Sequence, residues 1–211
     1  MHAAVMTRPD IAHAVQQVAQ FMSNPQPAHC VAVKRIMRYL RDTASYQLTY
    51  GPESDSRVMA YCDADFANNP DTQKLISGFA FMFNSGCFAW SSKKQTLVSL
   101  STAKAEYISA VHAAKSAAWL RTLLNELQLI NNDPIDLRID NQSAIALINL
   151  NNLVNKRSKH IEVRYHWIRE AVHKCIISPS HIPSKLNISD ILTKPLDRNS
   201  HSCLTSPLGL S

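Results

Sequence analysis

Four carboxylates carry the chemistry that this chain can do. Asp63 lies in "YCDADF" (Tyr61 to Phe66), where two acids, Asp63 and Asp65, interrupt an apolar stretch that reads as a strand. Glu106 shares a helix face with Ala110, Ala113 and Ala117, at steps of four, three and four. Small residues on that face let the helix approach a sheet closely, so Glu106 is expected to point at the sheet. An acid buried there without compensation is costly. Asp140 ends the alternating strand "PIDLRID" just before a helix, a common place for ligand-facing groups in α/β folds. Asp190 opens the last helical turn, "ISDILTK", where its alternative role is a plain N-terminal cap. Acids brought together away from water require positive charge. Mg²⁺, a hard ion that prefers oxygen ligands and keeps sites for water and phosphate, supplies it. Two such ions about 3.5–4 Å apart activate a water and stabilise a leaving oxygen in phosphodiester hydrolysis. Stray acids occur in any α/β chain, so position alone leaves this reading open.

The elements that must hold these acids follow from the pattern. "TRPDIAHAVQQVAQFM" predicts a helix with Thr7 as N-cap, Pro9 in the first turn, and Ile11, Val15, Val18 and Met22 on one stripe. A second helix, "AHCVAVKRIMRYLRDT", repeats the pattern through Val33, Ile36, Met37 and Leu40, after the break at Pro25 and Pro27. From Arg57 the rhythm becomes strand-like in "RVMAYCDADF", "SGFAFMFN" and "CFAWSSKKQ", with a hairpin connection at residues 84–86. A long helix capped by Ser101 or Thr102 follows, then the Ile135, Leu137, Ile139 strand and a short helix, "NQSAIALINL". A basic helix with Ile161, Tyr165, Ile168 and Val172 on one stripe comes next, then a weak strand, "CIISPSHIP". The expected order is three antiparallel strands, helix, strand, two helices, strand, helix. Residues 1–50 are expected as a helical connection, 57–195 as the α/β domain and 196–211 as a tail.

Bulk properties exclude several classes. The 211 residues, 45% apolar with four glycines, are enough for a real core and argue against disorder. No stretch approaches the roughly 20 apolar residues of a membrane span, and the N-terminus has no signal-like apolar run. Five cysteines, odd in number and without a Cys-x-x-Cys, suggest reduced thiols inside the cell and argue against a thiolate zinc site. The net charge of +6 is compatible with a polyanionic partner. Basic residues gather at 155–174, with six Lys or Arg against two Glu. A solvated helix face explains that cluster as readily as a phosphate contact. His160 and His166 are six apart rather than four and lack thiol partners, so zinc is rejected.

Five blocks, "YCDADFA", "FAWSSKKQTLVSLSTAKAEYISA", "DNQSAIAL", "KHIEVRYHWIRE" and "DILTKPL", together resemble the ribonuclease H domain of copia-type retrotransposon Pol polyproteins, in order and at the family's approximate spacing. The segment "TRPDIAHAVQQVAQFMSNPQPAHCVAVKRIMRYLR" resembles the link between that family's reverse transcriptase and its ribonuclease H. The resemblance implies an α/β, RNase H-like fold: a five-stranded mixed sheet flanked by helices, preceded by the small helical appendage. It also implies hydrolysis of the RNA strand of an RNA–DNA hybrid, leaving a 3′-hydroxyl, with two Mg²⁺ ions for which Mn²⁺ can substitute. Asp63, Glu106, Asp140 and Asp190 are then the catalytic metal ligands, with Asp63 shared between the ions. Asp65 is at most one layer outside them. Ser101, Asn141 and Gln142 are candidates to reach the hybrid's 2′-hydroxyls, and Lys93, Lys94 and the 156–174 cluster to meet its phosphates. The implied partners are the hybrid and the reverse transcriptase of the same polyprotein, and the implied location is the cytoplasm within a virus-like particle, or the nucleus. Nothing in the sequence sets an oligomeric state.

Several positions depart from the family pattern. Gln73 and Leu75 stand where Arg and Ser are common, in what reads as the loop after the first acid. Lys104 replaces a frequent Glu. Pro179 interrupts the last strand, which restricts that strand to an edge. A family histidine position aligns near Lys185, while His181 falls in the strand, so a histidine-assisted step is not supported. Met1 falls inside what would be continuous polyprotein sequence, which marks the chain as a fragment. No Tyr-x-Asp-Asp motif is present, so the chain is not expected to copy nucleic acid. Two rivals to an active nuclease remain: a silent remnant that only binds hybrid or polymerase, and an integrase-like nuclease. Integrases place their Glu last among the acids, and here Glu106 is second.

Overall fold

A central strand covered on both faces explains why acids occur in "YCDADF". The computed structural model describes residues 1–51, 57–65, 74–98, 101–149 and 167–211. Strands β1 (Met59–Asp65), β2 (Lys74–Phe83), β3 (Gly86–Val98), β4 (Ile135–Ile139) and β5 (Ile177–His181) form one sheet in the order β3-β2-β1-β4-β5. β1 pairs antiparallel with β2 and parallel with β4, and β4 pairs parallel with β5. The sheet is therefore mixed, five-stranded and flanked by helices, the RNase H-like arrangement expected from the sequence. Asn84 and Ser85 both take positive φ, so the β2–β3 connection is a tight hairpin turn at the expected place. β5 has one neighbour, and Pro179 sits in it opposite Leu137 without costing an inner ladder bond.

Alternation along β1 sends Ala60 and Cys62 into one core and Tyr61 into another. The first core is closed by the long helix, Thr102–Glu126, whose Ala110, Ala113, Ala114 and Ala117 are fully buried. Ile135, Leu137 and Ile139 face the same core. Ser101 caps this helix by accepting from the Lys104 amide. Gln142–Asn149 forms the short helix after β4, and residues 167–173 are helical, with Ile168 buried. The remainder of the expected basic helix, including Ile161 and Tyr165, lies outside the described residues.

The second core forms on the opposite face, where the N-terminal helices meet the C-terminal end. In chain order the helices are α1 (His2–Met6), α2 (Ala12–Ala19), α3 (Pro27–Asp42), α4 (Thr102–Glu126), α5 (Gln142–Asn149), α6 (167–173) and α7 (Arg198–Thr205). The Trp90 indole donates to the Ala4 carbonyl, fixing α1 against β3. Arg8 donates to both Asp10 carboxylate oxygens and to Thr43, and Tyr39 donates to Asp10. His201 of α7 contacts the Asp10 carbonyl, and Leu48 bridges to Leu210.

Two helix expectations are corrected. Thr7 ends α1 instead of capping a longer helix, and a 3₁₀ turn, Pro9–Ile11, precedes α2. Arg8 must turn inward to pair with Asp10, which breaks the run that the periodicity suggested. Of the stripe expected on α3, Val33 and Met37 are exposed while Ile36 is partly buried. Leu75 is also relocated: it is a buried residue of β2, packed with Ala64 and Ala105, and not part of a loop.

Candidate metal centre

Asp63, Glu106 and Asp140 converge from three elements. One carboxylate oxygen from each lies within 4.8 Å of the other two, the arrangement among the described residues that can hold a metal ion. β1 supplies Asp63 with no exposed surface, the first half of α4 supplies Glu106, and the residue after β4 supplies Asp140. Ser109, one turn after Glu106, donates to the Asp63 carbonyl at 2.7 Å and ties the helix to the strand beneath it. The cleft over these acids, about 320 Å³, is lined by Asp65, Glu106, Asp140, Asn141, Ser184 and Lys194 among others.

The Oε2 atom of Glu106 is buried and has no hydrogen-bond partner. Such an orphan is expensive in a finished core and natural where a cation completes the set. Burial, followed by the charges of Asp63 and Asp140, pushes the Glu106 carboxyl up to about 10. Burial likewise raises Asp63, against the pull of Lys194 and Thr193. The donor set, all hard oxygen and partly desolvated, fits a divalent cation such as Mg²⁺ or Mn²⁺.

The sign of the pH effect follows. Glu106 holds its proton more tightly folded than unfolded, where its value is about 4.3. The stability this confers is full below that value and is lost as pH rises toward about 10. In EDTA, urea midpoints of the protein should therefore fall between pH 5.5 and 8.5, by at most about 1.4 kcal/mol per pH unit for each proton linked. Glu106→Gln should flatten that fall.

Asp190 stands beside the three acids rather than among them. It lies in the 3₁₀ turn Ile188–Leu192, and its Oδ1 accepts from Lys194 Nζ at 2.9 Å. Burial and then Asp63 raise its carboxyl to about 6, with Lys194 opposing. The cap expected of Asp190 is made instead by Asn187, whose side chain accepts from the Ser189 amide and donates to the Cys62 carbonyl of β1.

Thr193 and Lys194 were not singled out from the sequence. The Thr193 hydroxyl donates to Asp63 Oδ2, and Lys194 Nζ donates to Asp63 Oδ1 at 3.2 Å. The available signal was their spacing, three and four residues after Asp190 inside "DILTKPL". Gly78, paired with Asp63 across β1 and β2, leaves room for them: a Cβ there would lie 2.6 Å from Thr193 Cγ2 and 2.8 Å from Leu192 Cβ. Gly78→Ala should destabilise the protein by about 1–3 kcal/mol. Thr193→Ser, which keeps the hydroxyl and removes the clashing methyl, should restore part of that loss in a urea titration.

The other expected site residues are placed as follows. Asp65 is buried and lines the cleft, with His13 of α2 close enough to feel its charge. Asn141 lines the cleft while its Oδ1 accepts from the Ala144 amide, capping α5. Gln142 and Ser101 are exposed near the starts of their helices. Lys93 is exposed on β3, and Lys94 donates to Gln20 of α2. The 156–166 part of the basic cluster and Gln73 lie outside the described residues. His181 lies in β5 as expected, and Lys185 occupies a separate 3₁₀ turn, Ser184–Leu186.

No protein-family model matches the chain. The retrovirus-related Pol polyprotein from transposon TNT 1-94 of Nicotiana tabacum is 43% identical over 210 residues, 100% of this chain and 16% of that polyprotein. The retrovirus-related Pol polyprotein from transposon RE1 of Arabidopsis thaliana is 34% identical over 205 residues, 97% of this chain and 14% of that polyprotein. Among solved structures, LC11-RNase H1 isolated from compost is 17% identical with a TM-score of 0.48, over 66% of this chain and 94% of that one. The chain belongs to the family of retrovirus-related Pol polyproteins of copia-type transposons. It spans about a sixth of the length of the tobacco relative it matches.

Proposed function

We propose that this chain is the ribonuclease H part of a copia-type Pol polyprotein, hydrolysing the RNA strand of RNA–DNA hybrids. The observation that carries the proposal is the convergence of Asp63, Glu106 and Asp140 around a buried, unpartnered Glu106 oxygen. Two Mg²⁺ ions, when bound, would activate water and neutralise charge on the departing 3′-oxygen. Asp63, Glu106 and Asp140 would hold them, with Asp190 joining as the fourth acid. The chain's own work is positional. Thr193 orients one Asp63 oxygen, Ser109 holds α4 in register with β1, and Asn187 anchors the turn that carries Asp190. Asn141 lines the cleft, within which it can meet a 2′-hydroxyl, and Lys93 and Lys94 can meet phosphates along β3. The hybrid would come from the reverse transcriptase of the same polyprotein, inside the cell, in a cytoplasmic particle or in the nucleus.

The test is a hybrid labelled separately on each strand, incubated with the purified chain and Mg²⁺. The expected result is cleavage of RNA alone, leaving 3′-hydroxyl ends, with an all-DNA duplex untouched and EDTA abolishing the reaction. Folded protein that cleaves nothing with Mg²⁺ or Mn²⁺ would favour the silent remnant.

A further inference from the structure

Lys194 is the cation nearest the acids. Its Nζ bridges Asp63 Oδ1 at 3.2 Å and Asp190 Oδ1 at 2.9 Å, and its side chain lines the same cleft as Glu106 and Asp140. The bridge is built rather than incidental. The Lys194 amide donates to the Asp190 carbonyl, Asn187 pins the preceding turn to β1 through the Cys62 carbonyl, and Gly78 admits Leu192 and Thr193 against β2. An ammonium on so fixed a backbone has little freedom to sit elsewhere without a new acceptor.

We propose that Lys194 is a positioning residue that reserves the place between Asp63 and Asp190, so that the free protein takes up one divalent ion and the second enters only when Lys194 is drawn off by a substrate phosphate. Asp63, Glu106 and Asp140 offer ligand atoms to a first ion with Lys194 in place. An ion ligated by Asp63 and Asp190 together must use the two oxygens that the ammonium now engages. The second ion therefore competes with a tethered cation whose effective concentration is high. A phosphate oxygen is a suitable alternative acceptor for Nζ, because a charge-assisted contact replaces the one lost. This inference rests on the nuclease reading only for the identity of that phosphate.

The test counts ions on the full chain without nucleic acid, by native mass spectrometry and by Mn²⁺ electron paramagnetic resonance. The wild-type protein should hold one Mn²⁺. Lys194→Met should hold two, with the affinity for the second raised at least tenfold, and Lys194→Arg should stay at one. Lys194→Gln serves if the methionine variant does not fold. Adding an uncleavable phosphorothioate hybrid should raise the wild-type count to two. Two ions on the free wild type at the variant's affinity, or a variant that stays at one, would overturn the proposal, as would no Mn²⁺ on either. If the counts come out as expected and no variant cleaves hybrid, the nuclease reading fails while the role of Lys194 stands.

Discussion

Asp63→Asn is expected to lower cleavage of an RNA–DNA hybrid by more than about 100-fold, because losing even the outer support of a metal ligand costs about 10–100-fold. Asp63 contributes both oxygens to the site, has no exposed surface, and is the acid that Thr193 and Lys194 both hold. The same substitution should leave the metal-free protein folded, since it removes a carboxylate whose burial already favours the protonated form. Equilibrium unfolding in EDTA and the cleavage rate in Mg²⁺, measured on one preparation, separate the two effects. A variant that cleaves within tenfold of the wild type would remove Asp63 from the mechanism.

Arg8→Met should destabilise the protein by about 3–5 kcal/mol, the usual consequence of leaving one partner of a buried ion pair behind. The Asp10 side chain has no exposed surface and receives two bonds from Arg8, which also bonds the Thr43 hydroxyl and carbonyl. Tyr39 would remain as a donor to Asp10 but cannot neutralise it. Arg8→Met combined with Asp10→Leu should recover most of the loss, because the uncompensated charge is gone. The urea midpoints of the wild type, the two single variants and the double variant measure this. The result bears on the site through α2, which begins just after this cluster and carries His13 toward Asp65 and Gln20 to Lys94.

The acids were legible because their surroundings made them costly. A carboxylate in a central strand, and another on an alanine-lined helix face, each demand an explanation before any contact is known. The sheet was legible for a related reason: β1 to β3 show strand composition broken by turn residues, and Ile135, Leu137 and Ile139 alternate cleanly. Thr193 and Lys194 were not, since their value arises from a chain reversal that brings the residues after Asp190 back over Gly78, a closeness encoded by a missing Cβ far away in sequence. The first fifty residues misled for the opposite reason. Apolar residues at helical spacing run across Pro9, but the Arg8–Asp10 pair decides the backbone there, and α3 carries apolar residues on its exposed side as well as its packed one. Periodicity reports which residues can share a face, not which face finds a partner.

The most direct test of the central claim is a calorimetric titration of Mn²⁺ into metal-free protein near pH 7, repeated in buffers of different ionisation enthalpy. Glu106, pushed up to about 10, holds a proton there that an arriving cation must displace. The account predicts binding with release of about one proton, and for Glu106→Gln weaker binding without that release. Binding that releases no proton, or that is unchanged in Glu106→Gln, would contradict a metal centre built on these three acids.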